Sequence, residues 1–574
     1  MRGGFREAQP GPEASNARLI PGGNGSALRL VALGGLGEFG LNALVMEWQD
    51  RLLLVDAGVM FPSAEMPGVD SIVPDFQYLA ERRDRLEAIV LTHGHEDHIG
   101  GLAFALQAAP APVYGSRLTL GFVRRRLEER AASADLRLLT PGRPVDAGPF
   151  RVHPIRVSHS VVDSLALAVE TPAGIVIVSG DFKIDARAPE SERTDLESLS
   201  AWGDRGVLAL LSDSTNVEER GSTGAEDDVL PAFEEVFART RGKVMVSCFA
   251  TAIPRMQRVA DLARRVGRRV GFVGRRMADN AEVALELGAL SIPPSDLVSA
   301  GEIDQHPPDR LCLFVSGSQG EPLSALSMVS VDEHRELSAG PGDTVVLSAR
   351  AIPGNERAVS RLMGNLFRRG CDVVHPGLAR VHVSGHGSQD DLVELLGRVR
   401  PRYLVPVHGE YRMLVQHARL AARSGLSADR VLVAEDGDVL ELSAAGARKS
   451  ARVAAGRILL DRSGTEGLEE VVVRDRRHLS AEGIVVPVVV LDKQTGRLES
   501  APEIVTRGFV DAEERGAELL VDASRLVAEA VSSRPDEERH DPALTRERLR
   551  QELRRFFRRR TQRRPMVIPV VMEV

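Results

Sequence analysis

The stretch LTHGHEDHIGG, residues 91–101, decides the reading of this chain. It follows an apolar, strand-like run, LEAIV (86–90), and leads into a helix-like run, LAFALQAA (102–109). On an extended segment side chains alternate faces, so His93 and His95 point the same way. Asp97 and His98 fall where the helix begins and can reach a second point, one metal–metal spacing away. Three imidazoles and a carboxylate within six residues suit one or two zinc ions. A solvated polar loop would account for one histidine. It does not account for H-x-H-x-D-H behind a buried strand.

Working outward, the remaining ligands should lie on neighbouring strand ends. His159 in VSHS, Asp181 in VSGDFK and His408 in VPVHGE each close an apolar run. Together they complete two sites: His93, His95, His159 and Asp181 around one ion, and Asp97, His98, Asp181 and His408 around the other, with Asp181 bridging. A hydroxide held between two metals is a nucleophile at neutral pH and suits in-line attack on phosphorus. Only Cys248, Cys312 and Cys371 are available as thiols. Their number and spacing exclude a disulfide framework and a cysteine–zinc cluster, and fit a reducing compartment.

At 574 residues the chain calls for several domains. Hydrophobic residues make up 43% and charged residues 27%, which excludes a disordered or fibrous protein. No apolar run approaches the ~20 residues that span a bilayer, and the first 30 residues lack a secretory signal. The expectation is a cytoplasmic protein without a membrane partner, starting with a flexible tail over residues 1–27. A net charge of -8 argues against a protein that simply coats nucleic acid. Short strands ending in polar residues fill 28–224, and that texture resumes over 376–460. Between them, 225–375 alternates strands and helices in the manner of an open parallel sheet. A smaller α/β piece closes the chain over 461–574. The first domain is thus split by an inserted second one.

The motifs GGLGEFGLN (34–42), LVDAG (54–58), FPSAEMPGVDSIVPD (61–75), LTHGHEDHIGG, GDFK (180–183), SDSTN (212–216), SGSQGEP (316–322), AIPGNE (351–356), HVSGHGS (382–388), PVHGE (406–410) and RGFV (507–510) run in one order along the chain. In this the chain resembles the ribonuclease J family of the metallo-β-lactamase superfamily. The resemblance implies an α/β fold: a metallo-β-lactamase αββα sandwich, an inserted beta-CASP domain and a small C-terminal domain. It implies a zinc-dependent ribonuclease with 5′→3′ exonuclease and endonuclease activity on single-stranded RNA bearing a 5′ monophosphate, in mRNA decay and rRNA maturation. Two zinc ions per subunit are implied, with manganese or magnesium as alternatives in activity, and a homodimer or homotetramer. An RNA-degradation complex or ribosome association would follow.

The resemblance also assigns roles. Asp56 would orient ligand imidazoles. Asp213 would hold a histidine in place, and His386 would contact the scissile phosphate and serve the leaving oxygen. With Asp97 these form the expected catalytic set. The loop His382, Val383, Ser384, Gly385 and His386 would receive the nucleotide phosphate, Gly385 and Gly387 making a tight turn that lets backbone approach it. SGSQGEP and PGNE would line the RNA channel. Gly68, Asp70 and Asp461 match positions of a structural calcium.

One segment departs from the family. In CFATAIPRMQ (248–257), Ala252 and Pro254 replace polar residues and leave Arg255 and Gln257, which puts RNA contacts on that wall in doubt. It opens the alternative of a catalytically weakened RNA-binding paralogue. A DNA-processing beta-CASP nuclease and a small-ester hydrolase are further alternatives. Finally, residues 545–564 hold ten arginines and two glutamates, with Leu549, Leu553, Phe556 and Phe557 on one helical stripe. This is either a solvated basic face or a surface that meets phosphates or another subunit.

Overall fold

The computed structural model describes residues 27–63, 66–461, 467–510, 514–534 and 541–574; residues 1–26 of the expected tail lie outside them. The chain forms two compact units. One runs to Phe61 and from Ile72 to Ile458; the other combines Pro62–Ser71 with Leu459–Val574. Residues 62–71, assigned to the core from sequence, thus group with the C-terminal residues. The Asp70 N–H donates to the Leu460 carbonyl at 2.7 Å, which ties them there.

Two sheets stack face to face in the first unit. The eight-stranded one includes Leu28–Gly34, Ala43–Trp48, Arg51–Val55 and Leu86–Val90; the six-stranded one includes Phe150–Arg156, Leu165–Thr171, Gly174–Val178, Val207–Asp213 and Tyr403–Val407. Leu30, Met46, Leu53 and Val90 of the first meet Val152, Leu167, Val176 and Leu211 of the second in a shared core. Helices seal both outer faces, with Phe122 over one sheet and Leu199 and Leu395 over the other. Strand Val207–Asp213 is buried at every residue because both its faces are covered. This is an αββα sandwich.

The chain leaves the six-stranded sheet after Val207–Asp213 and returns to pair beside it, in parallel, with Tyr403–Val407. Between these strands it builds a separate six-stranded sheet whose pairings are all parallel. Met256 and Met277 pack on one face of that sheet, and Leu326 and Leu362 on the other. The excursion has a consequence for chemistry. Asp213 and Val407 are register partners, so Asp213 lies beside the turn that carries His408.

In the second unit strand Ile484–Leu491 alternates half-buried and buried residues, the mark of one covered face. Helices Glu514–Ser532 and Pro542–Thr561 supply Val527, Leu549, Leu553 and Phe557 to its core.

Candidate metal centre

Six side chains converge from the ends of neighbouring strands. His93 and His95 follow Leu86–Val90, His159 follows Phe150–Arg156, Asp181 follows Gly174–Val178, Asp213 ends Val207–Asp213, and His408 follows Tyr403–Val407. Helix Glu96–Ile99 adds Asp97 and His98 from its first turns. His93 Nε2 and His159 Nε2 lie 3.0 and 3.1 Å from His95 Nδ1, and 3.5 and 3.8 Å from Asp181 Oδ2. In the second group His98 Nε2 is 3.3 Å from Asp181 Oδ2 and 3.7 Å from Asp97 Oδ2; His408 Nε2 is 3.6 and 3.3 Å from the same two oxygens. A third group, Asp181, Asp213, His386 and His408, overlaps both.

Outer hydrogen bonds decide which ring nitrogen faces inward. The Thr92 hydroxyl donates to Asp56 Oδ2 at 2.8 Å, so its oxygen is left to accept from His93 Nδ1 at 3.0 Å. The same relay recurs on the far side. The Thr215 hydroxyl donates to Asp213 Oδ1 at 2.7 Å and accepts from His408 Nδ1 at 2.7 Å. His98 Nδ1 donates directly to Asp56 Oδ2, and His159 Nδ1 to the Gly385 carbonyl. These four rings therefore present Nε2. His95 is reversed: its Nε2 meets the Ser160 hydroxyl at 3.1 Å and its Nδ1 faces the group. Thr92 and Thr215 sit inside motifs recognised in the sequence, yet nothing local marks them as relays.

The donor set fits cations. An ion with tetrahedral ligands at about 2.0–2.1 Å holds neighbouring ligand atoms roughly 3.3 Å apart, close to the separations found here. Asp181 Oδ2, common to every group, is buried and accepts no hydrogen bond. An anionic oxygen without a donor is costly unless a cation sits against it. Charge supports the same view. Burial keeps His93 and His159 well below the usual histidine range and puts His95 at about 4. Burial opposes charge on His98 and His408 too, but Asp181 and Asp97 outweigh it, raising His98 and taking His408 to about 9. Burial works against ionised Asp181 and Asp97 as well, yet the neighbouring histidines hold both below the usual carboxylate range.

The loop 382–386 closes one side. His386 Nδ1 donates to Asp213 Oδ2 at 2.8 Å, and the His386 carbonyl accepts from Asn216 and Thr223. Ser384 Oγ accepts the His386 N–H at 3.2 Å. The Val383 carbonyl is turned to Arg255, away from any ligand. His382 is neutral, lowered to about 3 by burial and then by Arg255. The chain bends at Gly385 and His386. The Gly385 φ is not positive, and glycine is required by contact instead: a Cβ there would lie 2.7 Å from His159 Cε1.

The other expectations fare differently. Arg255 is 4% exposed and turned into the fold, whereas Gln257 is half-buried and bonds to Asp261 and Ser291. Pro254 sits in the first turn of helix Ile253–Arg265, where a missing N–H costs little. Gln319 of SGSQGEP ties that loop to the chain leading into PGNE, donating to the Arg350 carbonyl and accepting the Ile352 N–H. In the second unit the Gly68 carbonyl, a would-be calcium ligand, already accepts from the Arg476 guanidinium at 3.1 Å.

The fold and this site define a metallo-β-lactamase-type hydrolase carrying an inserted domain. Residues 36–212 match the metallo-beta-lactamase superfamily, 241–366 the ribonuclease J beta-CASP domain, 373–433 the Zn-dependent metallo-hydrolase RNA specificity domain, and 471–574 the ribonuclease J C-terminal domain. Ribonuclease J2 of Bacillus subtilis is 36% identical, the match covering 96% of this chain and 99% of that one. Ribonuclease J of Mycobacterium tuberculosis is 39% identical over 98% of this chain and 99% of its own. A crystal structure of an Enterococcus faecalis protein of unknown function superimposes on 73% of this chain and all of its own, with a TM-score of 0.50 at 16% identity, and shares the fold. The chain belongs to the ribonuclease J family.

Proposed function

We propose that this protein is a metal-dependent ribonuclease that cleaves single-stranded RNA both 5′→3′ from a 5′ monophosphate and internally, leaving 5′ phosphates. The observation that carries this reading is the orphaned Asp181 Oδ2 at the centre of two ligand groups. His93, His95, His159 and Asp181 would hold one zinc ion, and Asp97, His98, Asp181 and His408 the other. When bound, such a pair acidifies water at neutral pH and polarises a phosphoryl oxygen. The chain's own groups do the rest. Asp213 fixes the His386 ring through Nδ1, which leaves Nε2 to give a proton to the departing ribose oxygen. Ser384 and the backbone of the 382–386 loop would receive the 5′ phosphate. Mature partners follow the family: a homodimer or homotetramer, cytoplasmic, acting in mRNA decay and rRNA maturation, alone or in a degradation complex. Among the described residues no helix is long and apolar enough to cross a membrane.

The weakened-paralogue reading drew on Ala252 and Pro254. Both are buried in the fold, so they bear on packing rather than on RNA.

The test uses single-stranded RNA with a labelled 5′ monophosphate and added zinc or manganese. Labelled mononucleotide, blocked by a 5′ triphosphate and absent with His93→Ala, is the expected result. Longer labelled fragments alone would confine the protein to endonuclease action. No cleavage with metal bound would overturn the reading in favour of an RNA-binding protein.

A further inference from the structure

Arg255, the residue left by the departure from the family pattern, is almost wholly buried, and every nitrogen of its guanidinium is used. Nη1 donates to the Ser348 hydroxyl at 2.6 Å and to the Val381 carbonyl at 3.2 Å; Nη2 donates to the Val383 carbonyl at 3.1 Å. Nε donates to Glu226, whose other oxygen lies 3.4 Å from Lys183 Nζ. The Glu226 N–H in turn donates to Asp185. Lys183 stands two residues from Asp181 and Val383 three from His386. A single buried chain of charges thus joins the loop that carries the shared aspartate to the loop that carries His386.

We propose that Arg255 is a positioning residue: braced by Glu226 and Lys183, it sets the 381–386 segment at the distance from Asp181 at which His386 and Ser384 meet RNA. The inference rests on the ribonuclease reading above. Bonding carbonyls at residues 381 and 383, Arg255 holds that segment in the i, i+2 pattern by which one strand grips another. A planar fork with five donors suits this, and the guanidinium stays charged at any working pH. Lysine keeps the charge but cannot span both carbonyls, so it separates charge from geometry. Burial of a cation with four such acceptors is expensive to arrange and serves no packing need that an apolar side chain would not meet.

The chemistry supplies a discriminating readout. Cleaving RNA releases a ribose alkoxide, which needs a proton from His386. Bis(p-nitrophenyl) phosphate releases p-nitrophenolate, which leaves without one. In the zinc-loaded, full-length protein, Arg255→Lys is expected to lower kcat on 5′-monophosphate RNA by about 10- to 100-fold, the range for a catalytic group misplaced by an ångström. With zinc held in excess, hydrolysis of the p-nitrophenyl diester should stay within about twofold. Ser348→Ala, which removes one hydroxyl and leaves the charges, should reproduce the effect more weakly and keeps the test alive if Arg255→Lys does not fold. Equal loss on both substrates with zinc in excess would reduce Arg255 to a strut of the fold and overturn the inference. So would unchanged RNA cleavage in both variants. A wild-type protein that hydrolyses the diester but not RNA would instead strike the ribonuclease reading.

Discussion

The ring of His159 and the backbone of Gly385 are in direct contact, 226 residues apart in sequence, with His159 Nδ1 donating to the Gly385 carbonyl at 2.7 Å. One hydrogen bond couples a candidate metal ligand to the loop beside His386, so metal binding and loop position are not independent.

Gly385→Ala should therefore act on the metal centre and not only on the loop. The added Cβ would sit 2.7 Å from His159 Cε1 and 2.8 Å from Nδ1, and the ring must move. Zinc content after dialysis should fall at the His93–His95–His159 group, and RNA cleavage by at least about tenfold. Gly387→Ala meets Asp391 Cβ at 3.0 Å and should be milder. Full metal content and activity in Gly385→Ala would refute the coupling.

Asp181 is shared and His95 is not, and the two should be separable by metal counting. Asp181→Asn removes the anionic oxygen from both groups and should leave neither able to retain zinc through dialysis. His95→Ala should spare the Asp97–His98–Asp181–His408 group. Atomic spectroscopy of the dialysed proteins distinguishes them; equal content in the two variants would argue against a bridging aspartate.

Metal removal should expose a pH dependence that the loaded protein lacks. In the metal-free protein His408 rises from 6.5 to about 9, burial being outweighed by Asp181, Asp97 and Asp213. A raised histidine contributes stability that is complete below 6.5 and is lost as pH climbs through 9. The melting temperature of chelator-treated protein should fall across that window, while zinc flattens the curve. Because ligands must be deprotonated, zinc binding at pH 7 should release protons, and the measured heat should vary with buffer ionisation enthalpy. Buffer-independent heats would count against ligation by His408.

The arginine-rich helix offers a separate test. On Pro542–Thr561, Arg555 and Arg560 are paired with Glu552 at 3.5 Å and Asp522 at 2.6 Å, whereas Arg554, Arg558 and Arg559 are exposed. If that face meets RNA, replacing these three with alanine should reduce the slope of log K against log salt by about 2, at roughly 0.7 per phosphate contact on a single strand. An unchanged slope would leave a solvated face or one that meets another subunit.

Much of this was legible in the residues. LTHGHEDHIGG announces candidate metal ligands by spacing, and His159, Asp181 and His408 join them as candidates because each closes an apolar strand. The buried stripe of the C-terminal helix reads equally well: Leu549, Leu553 and Phe557 are all in its core, because a period of 3.6 residues is local information. The insertion follows from where the strand texture stops and resumes, whereas the αββα layering comes from the resemblance of the motifs to a known family.

Other features were illegible for a physical reason. Nothing in SGSQGEP shows that Gln319 spends its amide on the chain just before PGNE, at Arg350 and Ile352. Arg255 looks like a surface residue beside a proline, yet points inward to carbonyls more than a hundred residues away. By itself the sequence determined the inventory: which side chains can ligate a metal, which strands carry them and which helix faces are apolar, since these depend on residue type and short-range period. The tertiary structure alone decided which nitrogen of each ring faces inward, why residue 385 must be glycine and what Arg255 grips. Those depend on hydrogen bonds between segments far apart in the chain, and no local pattern records which partner a folded backbone will bring within 3 Å.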